Sequence, residues 1–240
     1  MPPASSPEVH QLGQSLLVAD LTSAVSAHAW PTFDPAAIEA SLPRLLAVIL
    51  ALIRGYGGAS ASHATTFYAE QRRAAGIPGR PPVRVPPDPP TAQVAAQLKW
   101  AVGGLYGDVQ PTTLAAAQSN VARVTETLVL DKGRTAILDA VAADKVATGW
   151  ARVPEAGACS FCLLLATRGA VYKSEASSAF DAHNGCHCHI EPLFAHHYEP
   201  TAQVRAAQAL YRATPNGNSP ATARNNFRVA LQQERDAGRA

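Results

Sequence analysis

The 240-residue chain is short of charge, of aromatic rings and of methionine. Charged residues make up 16% and the formal net charge is +2, so the chain lacks the basic surplus that neutralises nucleic-acid phosphates. Aromatics are 6% and there is one methionine; with alanine abundant, this composition favours long helices with thin interfaces. No run of 18 uncharged apolar residues occurs, so no membrane span is expected. The opening residues show no charged segment followed by an apolar one, and nothing there suggests export. There is no Walker loop, no G-x-G-x-x-G and no G-x-S-x-G. No carboxylate pair stands out in an apolar context. Cysteine is scarce as well, at four residues, which is too few for the disulfide framework of a small exported domain.

Those four cysteines are not scattered. Cys159, Cys162, Cys186 and Cys188 fall within 30 residues, interleaved with His183, His187 and His189. The spacing reads C-x2-C, then 20 intervening residues, then H-x2-C-x-C. Thiolates and neutral imidazoles are the ligands of tetrahedral zinc, and a C-x2-C pair followed by a second Cys/His cluster is the usual spacing of a structural site. Buried unrelated thiols would not explain the clustering. A redox C-x2-C would need a thioredoxin-like βαβ context and would leave the second cluster unused.

Val153 to Ala158 form a turn before Cys159, and Phe161 to Leu165 start an apolar helical turn that stops at Arg168-Gly169. Ala170 to Lys173 read as a strand, Asn184-Gly185 as a tight turn, and Ile190 to Phe194 as a closing strand. Cys159 and Cys162 are the firm ligand pair and Cys186 the third. The fourth is His183 or Cys188, with His187 and His189 as weaker options. So many soft donors leave no open position on the ion, so the site reads as structural rather than catalytic. The deaminase order of motifs is absent, since His189-Ile190-Glu191 follows the cysteines instead of preceding them. A zinc nuclease or hydrolase, or a zinc-stapled DNA-binding module, remains the alternative class.

Before that stretch the chain is punctuated by proline and glycine. Residues 1–75 carry N-terminal helices. Leu12, Leu16, Leu17, Leu21 and Val25 give the first a helical stripe. Asp34 as N-cap and Pro35 open a second helix, in which Pro43 predicts a kink and Leu45 to Ile53 a buried face. Gly55, Gly57 and Gly58 end it, and Ser60 or Ser62 caps a third helix that closes on Arg72-Arg73. Residues 76–90 form a Pro-rich linker or strap, with a possible edge strand at Val83-Arg84-Val85. Long helices fill 91–148, with Val94, Leu98, Trp100 to Val102 and Leu105 apolar in the first. The longest segment follows, with a stripe running from Leu114 to Val146 and a break at Gly133. Arg134, Asp139, Asp144 and Lys145 look like solvated charges. After the module at 149–195 comes a helical tail at 196–240, in which His196 and His197 read as exposed. One tail helix starts at Pro200, and the last, Ala221 to Gly238, reads as loosely packed. The fold class is mainly α: a helical N-terminal body with a small α+β zinc-knuckle module near the C-terminus.

The run Trp150-Ala151-Arg152-Val153-Pro154, then Gly157, Cys159-Ser160-Phe161-Cys162, Leu165-Ala166, Arg168-Gly169, Val171-Tyr172 and His183 with Cys186-His187-Cys188 resembles the MuF-like minor capsid, or head morphogenesis, proteins of tailed bacteriophages. It is most similar to the form found in phages of actinobacteria. The motif covers about 40 residues. The resemblance implies a non-enzymatic virion component inside the head near the portal, whose partners are the portal, other capsid proteins and packaged DNA. It implies metal ligation by Cys159, Cys162, His183, Cys186 and Cys188, with structural Zn2+ as the cofactor. Some longer relatives carry a C-terminal toxin or ADP-ribosyltransferase domain; this chain stops soon after the module, and no catalytic residue is implied.

Overall fold

Alanine-rich segments with apolar residues three and four apart fold as helices, and most of this chain does so. The computed structural model describes residues 7–107, 109–172, 180, 182–194, 198–215 and 217–238. The chain divides into two units: Met1–Ala140 with Asp181–Gly185, and Val141–Phe180 with Cys186–Ala240. The mainly α expectation holds, with seven α-helices and one small sheet among the described residues.

The first unit is built on α1 (Pro7–Ala24), α2 (Ile38–Ala74), α3 (Thr91–Ala101) and most of α4 (Pro111–Ala143). A π-helical turn, Val25–Ala29, and a short 3-10 turn, Trp30–Thr32, follow α1. The core gathers Leu21, Val25, Leu45, Ile49, Ile53, Val94, Leu98, Val121 and Val124. Each such side chain contributes about 1.5–3 kcal/mol by leaving water. The stripe of α1 is not the expected one, because Leu12 and Leu16 are 60% and 63% exposed. The inward face instead runs through His10, Gln14, Val18, Leu21 and Val25. Two polar residues can occupy it because His10 stacks on Phe67 with ring centroids 4.3 Å apart, and Gln14 accepts a hydrogen bond from Ser60 Oγ at 3.4 Å. Burial, and to a lesser degree the charge of His63, pull His10 down to a pKa of about 4. Likewise Trp100, placed on the apolar side of α3 by its neighbours, is exposed.

The largest departure from expectation is α2. The glycine-rich stretch Gly55–Gly58 does not end a helix, and neither Ser60 nor Ser62 starts one; a single helix of 37 residues runs through them. Gly133 likewise interrupts nothing in α4. These small residues sit where the two helices cross. A Cβ on Gly133 would lie 2.6 Å from Ser60 Oγ and 3.0 Å from the Ser60 carbonyl oxygen, and one on Gly57 would lie 3.0 Å from Lys132 Cδ. The glycines mark close approach rather than chain reversal. By length and composition α2 is long and apolar enough to cross a bilayer, with a mean hydropathy of 1.5 over 18 residues, one third of them buried within the fold.

Smaller corrections follow from local hydrogen bonding. Asp34 does not cap α2; its Oδ1 accepts from Ala36 N–H at 2.9 Å in a turn, and the helix starts four residues later. Pro43 lies inside the early part of α2. The C-terminus of α2 closes on Gly76 (φ +72°) with Ile77 N–H bonded to the Arg72 carbonyl and Gly76 N–H to the Arg73 carbonyl, a Schellman arrangement. The Arg72 side chain does more than complement the dipole: its Nη1 donates to the carbonyls of Ile77, Pro78 and Gly79 at 3.2, 2.6 and 2.9 Å. The Pro-rich strap that follows is coil throughout, including Val83–Val85. Asp88 fixes its far end between Lys132 Nζ and Arg54 Nε. Of the charges beyond Gly133, Asp139 and Lys145 are exposed as expected, whereas Arg134 and Asp144 are buried, and Arg134 Nη1 donates to Asp131 at 2.7 Å.

The second unit holds a three-stranded antiparallel sheet in the order β2-β1-β3, with β1 at Gly149–Val153, β2 at Ala170–Tyr172 and β3 at His189–Leu193. Trp150 pairs with Val171 on one side and Pro192 on the other. The central strand β1 was not foreseen; all five of its residues are buried, so no alternation betrays it. Around the sheet stand α5 (Ser160–Ala166), α6 (Ala202–Ala213) and α7 (Pro220–Asp236). The cap of α6 is Thr201, whose Oγ1 accepts from Val204 N–H, so the helix begins just after the expected Pro200. The last helix is not loose. Phe227 and Leu231 are buried, Phe227 meets Tyr211 edge-on at 6.0 Å, and Arg235 Nη2 donates to the Ala158 carbonyl at 2.5 Å. The expectations for His196, His197 and Lys173 fall outside the described residues.

Candidate metal centre

In the second unit the two halves of the cysteine motif meet. Cys159 is the N-cap of α5: its Sγ accepts from Cys162 N–H at 3.4 Å. This fixes the C-x2-C pair by ordinary helix-start geometry and turns Cys162 inward, to 2% exposure. Gly157, at φ +74°, supplies the left-handed turn that brings the chain to the cap. From the other end, Cys186 and Cys188 lead directly into β3, and each is 2% exposed.

Cys162 Sγ and Cys186 Sγ are 3.4 Å apart. Potential ligand atoms of Cys162, Cys186 and Cys188 all lie within 4.8 Å of one another. All four cysteines are unbridged, and 3.4 Å is far beyond an S–S bond of about 2.05 Å. It is close to the separation of about 3.8 Å that two thiolates have when each is about 2.3 Å from one tetrahedral ion.

Crowding of this kind makes the metal-free thiols hard to ionise. Hydrogen bonds that hold Cys162 in its protonated form against Cys186 and Cys188, with burial behind them, push its pKa up. For Cys188, the bond with Cys162 and the charge of Arg152 lower the pKa. The bond and charge of Cys186 together with burial outweigh them, so it rises to about 12. A divalent ion reverses this preference, because coordinated thiols are deprotonated outright. The donor set therefore fits a soft or borderline metal ion.

The remaining candidates are placed as follows. His183 lies on Asp181–Gly185, which belongs to the first unit. There the Thr127 hydroxyl donates to the His183 carbonyl at 3.5 Å and accepts from Gly185 N–H at 2.9 Å. Gly185, at φ +76°, makes the turn with Asn184. His187 points to Glu155, with Nδ1 3.3 Å from Oε2, and stands outside the thiol group. His189 is buried as the first residue of β3, paired with Val153. Sequence reasoning missed Arg152. It is 4% exposed, with its guanidinium carbon 3.6 Å from the centroid of the Phe180 ring. The only sign of it was a charged residue in an otherwise apolar five-residue run.

No curated protein and no solved structure matches the chain. Residues 1–231 match the VG15 protein family, so the chain belongs to that family and is a phage-associated protein.

Proposed function

We propose that the protein is a MuF-like minor capsid protein that acts in head morphogenesis near the portal, with a structural zinc ion in its second unit. The observation that carries the metal part is the buried trio Cys162, Cys186 and Cys188, drawn from both halves of the motif. Zinc is the ion of choice for such thiolates: it needs no redox partner and accepts tetrahedral sulfur. Cys159 or His183 completes the set. A filled shell of this kind supplies folding free energy, on the order of 10 kcal/mol apparent in small zinc modules, and leaves no position for a substrate. The head role is supported by the family match and by the motif from Trp150 to Cys188.

Two measurements test the reading. The purified protein is expected to hold about one zinc, lost in the double variant Cys159→Ser/Cys162→Ser; metal-free protein with two disulfides overturns the metal part. Fractionated particles are expected to carry the protein in the head, with portal and capsid proteins, in few copies. Absence from both proheads and virions overturns the capsid part. Turnover of DNA or cell wall that disappears in His183→Ala would replace it with the zinc-hydrolase reading.

A further inference from the structure

We propose that Arg152 is the positioning residue that balances the charge of the thiolate-rich metal centre from within the sheet. The proposal rests on the zinc reading above. Arg152 is the one charged residue of β1, whose five residues are all buried. A guanidinium stays ionised wherever it is placed, so burying it is costly unless an anion or a polarisable surface receives it. One such surface is present, because the Arg152 guanidinium carbon lies over the Phe180 ring, 3.6 Å from its centroid, and Trp150, on the same face of the strand, flanks that ring at 5.7 Å.

The sheet register supplies the anion. Arg152 lies opposite Ile190. Cys188 immediately precedes β3, two residues before Ile190, and so stands one diagonal step from Arg152 where that register continues past the strand end. Three or four thiolates around a divalent ion leave the centre net anionic inside a buried, low-dielectric pocket. A fixed positive group beside one of those sulfurs offsets that excess and holds Cys188 ready to bind. Partners of this kind, outside the ligands themselves, set metal affinity by about 10–100-fold.

The test uses the full-length protein and measures zinc affinity by chelator competition, with the cobalt(II) form giving a thiolate-to-metal charge-transfer band. Arg152→Met is expected to bind zinc about 10–100-fold more weakly and to weaken that band. Arg152→Lys keeps the charge without the planar stack and is expected to recover most of the affinity. Wild-type affinity and an unchanged cobalt band in Arg152→Met overturn the proposal. So does a lysine variant no better than methionine. Should Arg152→Met fail to fold, the lysine variant against wild type decides alone: near-wild-type affinity supports charge balance, and a loss as large as 100-fold refutes it. A wild-type protein that binds no zinc at all refutes the metal reading instead, which keeps the two failures apart.

Discussion

Adding one methyl group at Gly133 tests whether α2 and α4 cross as closely as the structure shows. In an exposed helix interior, Gly→Ala gains about 1 kcal/mol from helix propensity. At Gly133 the new Cβ would stand 2.6 Å from Ser60 Oγ, 3.0 Å from the Ser60 carbonyl oxygen and 3.3 Å from its carbonyl carbon. The hydroxyl can rotate away, but the carbonyl belongs to the backbone of α2 and cannot. The helices must separate, and overpacking of this sort costs about 1–3 kcal/mol. The net expectation for Gly133→Ala is a loss of up to about 2 kcal/mol. Gly55 is the control, since a Cβ there meets nothing within 4 Å. Gly55→Ala should stabilise by about 1 kcal/mol. Urea unfolding of the full-length protein, followed by far-UV circular dichroism, reads both changes. In the double variant Ser60→Ala/Gly133→Ala the closest clash is gone and only the carbonyl remains, so the pair should be less unstable than the sum of its parts. If Gly133→Ala stabilises the protein as much as Gly55→Ala does, the two helices do not approach as described.

The metal centre gives three further expectations. Cys186→Ser removes a buried thiol from the trio and should abolish zinc binding, as read by metal analysis, whereas His187→Ala, outside the group, should leave it intact. Comparing Cys159→Ser with His183→Ala identifies the fourth ligand as the variant that lowers zinc affinity more. The thiol pKa values of Cys162 and Cys188 are raised in the metal-free fold, so the stability they contribute is present below the unfolded thiol value of about 8.5 and is lost as pH rises towards the folded one. The melting temperature of metal-free protein should therefore fall between about pH 8 and pH 10, while zinc loading weakens in the opposite direction, on acidification; a flat metal-free profile would count against the buried cluster. In the first unit, Asp88→Asn leaves Lys132, 8% exposed, without its carboxylate. The expected cost is about 1–2 kcal/mol, below the figure for a fully buried pair because Asp88 is 39% exposed, and limited proteolysis should cut the strap faster.

Alanine-rich apolar periodicity was enough to specify a mainly helical chain, and cysteine spacing was enough to single out one stretch as a candidate metal site. Both are local signals: a helix repeats every few residues, and a ligand pair three apart can be held by one helix cap, as Cys159 and Cys162 are. The turns at Gly76, Gly169 and Gly185 are local in the same sense, for each needs a positive φ that glycine supplies. What neighbours in sequence could not specify was which glycines end helices and which lie between them. Gly57 and Gly133 have the same letters around them as a helix end would, and only the partner helix 70 or so residues away gives them their meaning. The same holds for β1, whose strand character comes from β2 and β3 on either side, and for His10 and Gln14, which are inward-facing because Phe67 and Ser60 receive them. The burial of Arg152 opposite Ile190 is likewise a product of strand register. Sequence determines contacts between near neighbours, because the chain itself holds them close. Contacts between distant segments depend on which packing buries the most surface with the fewest unmet charges, and that was settled only when the chain had folded.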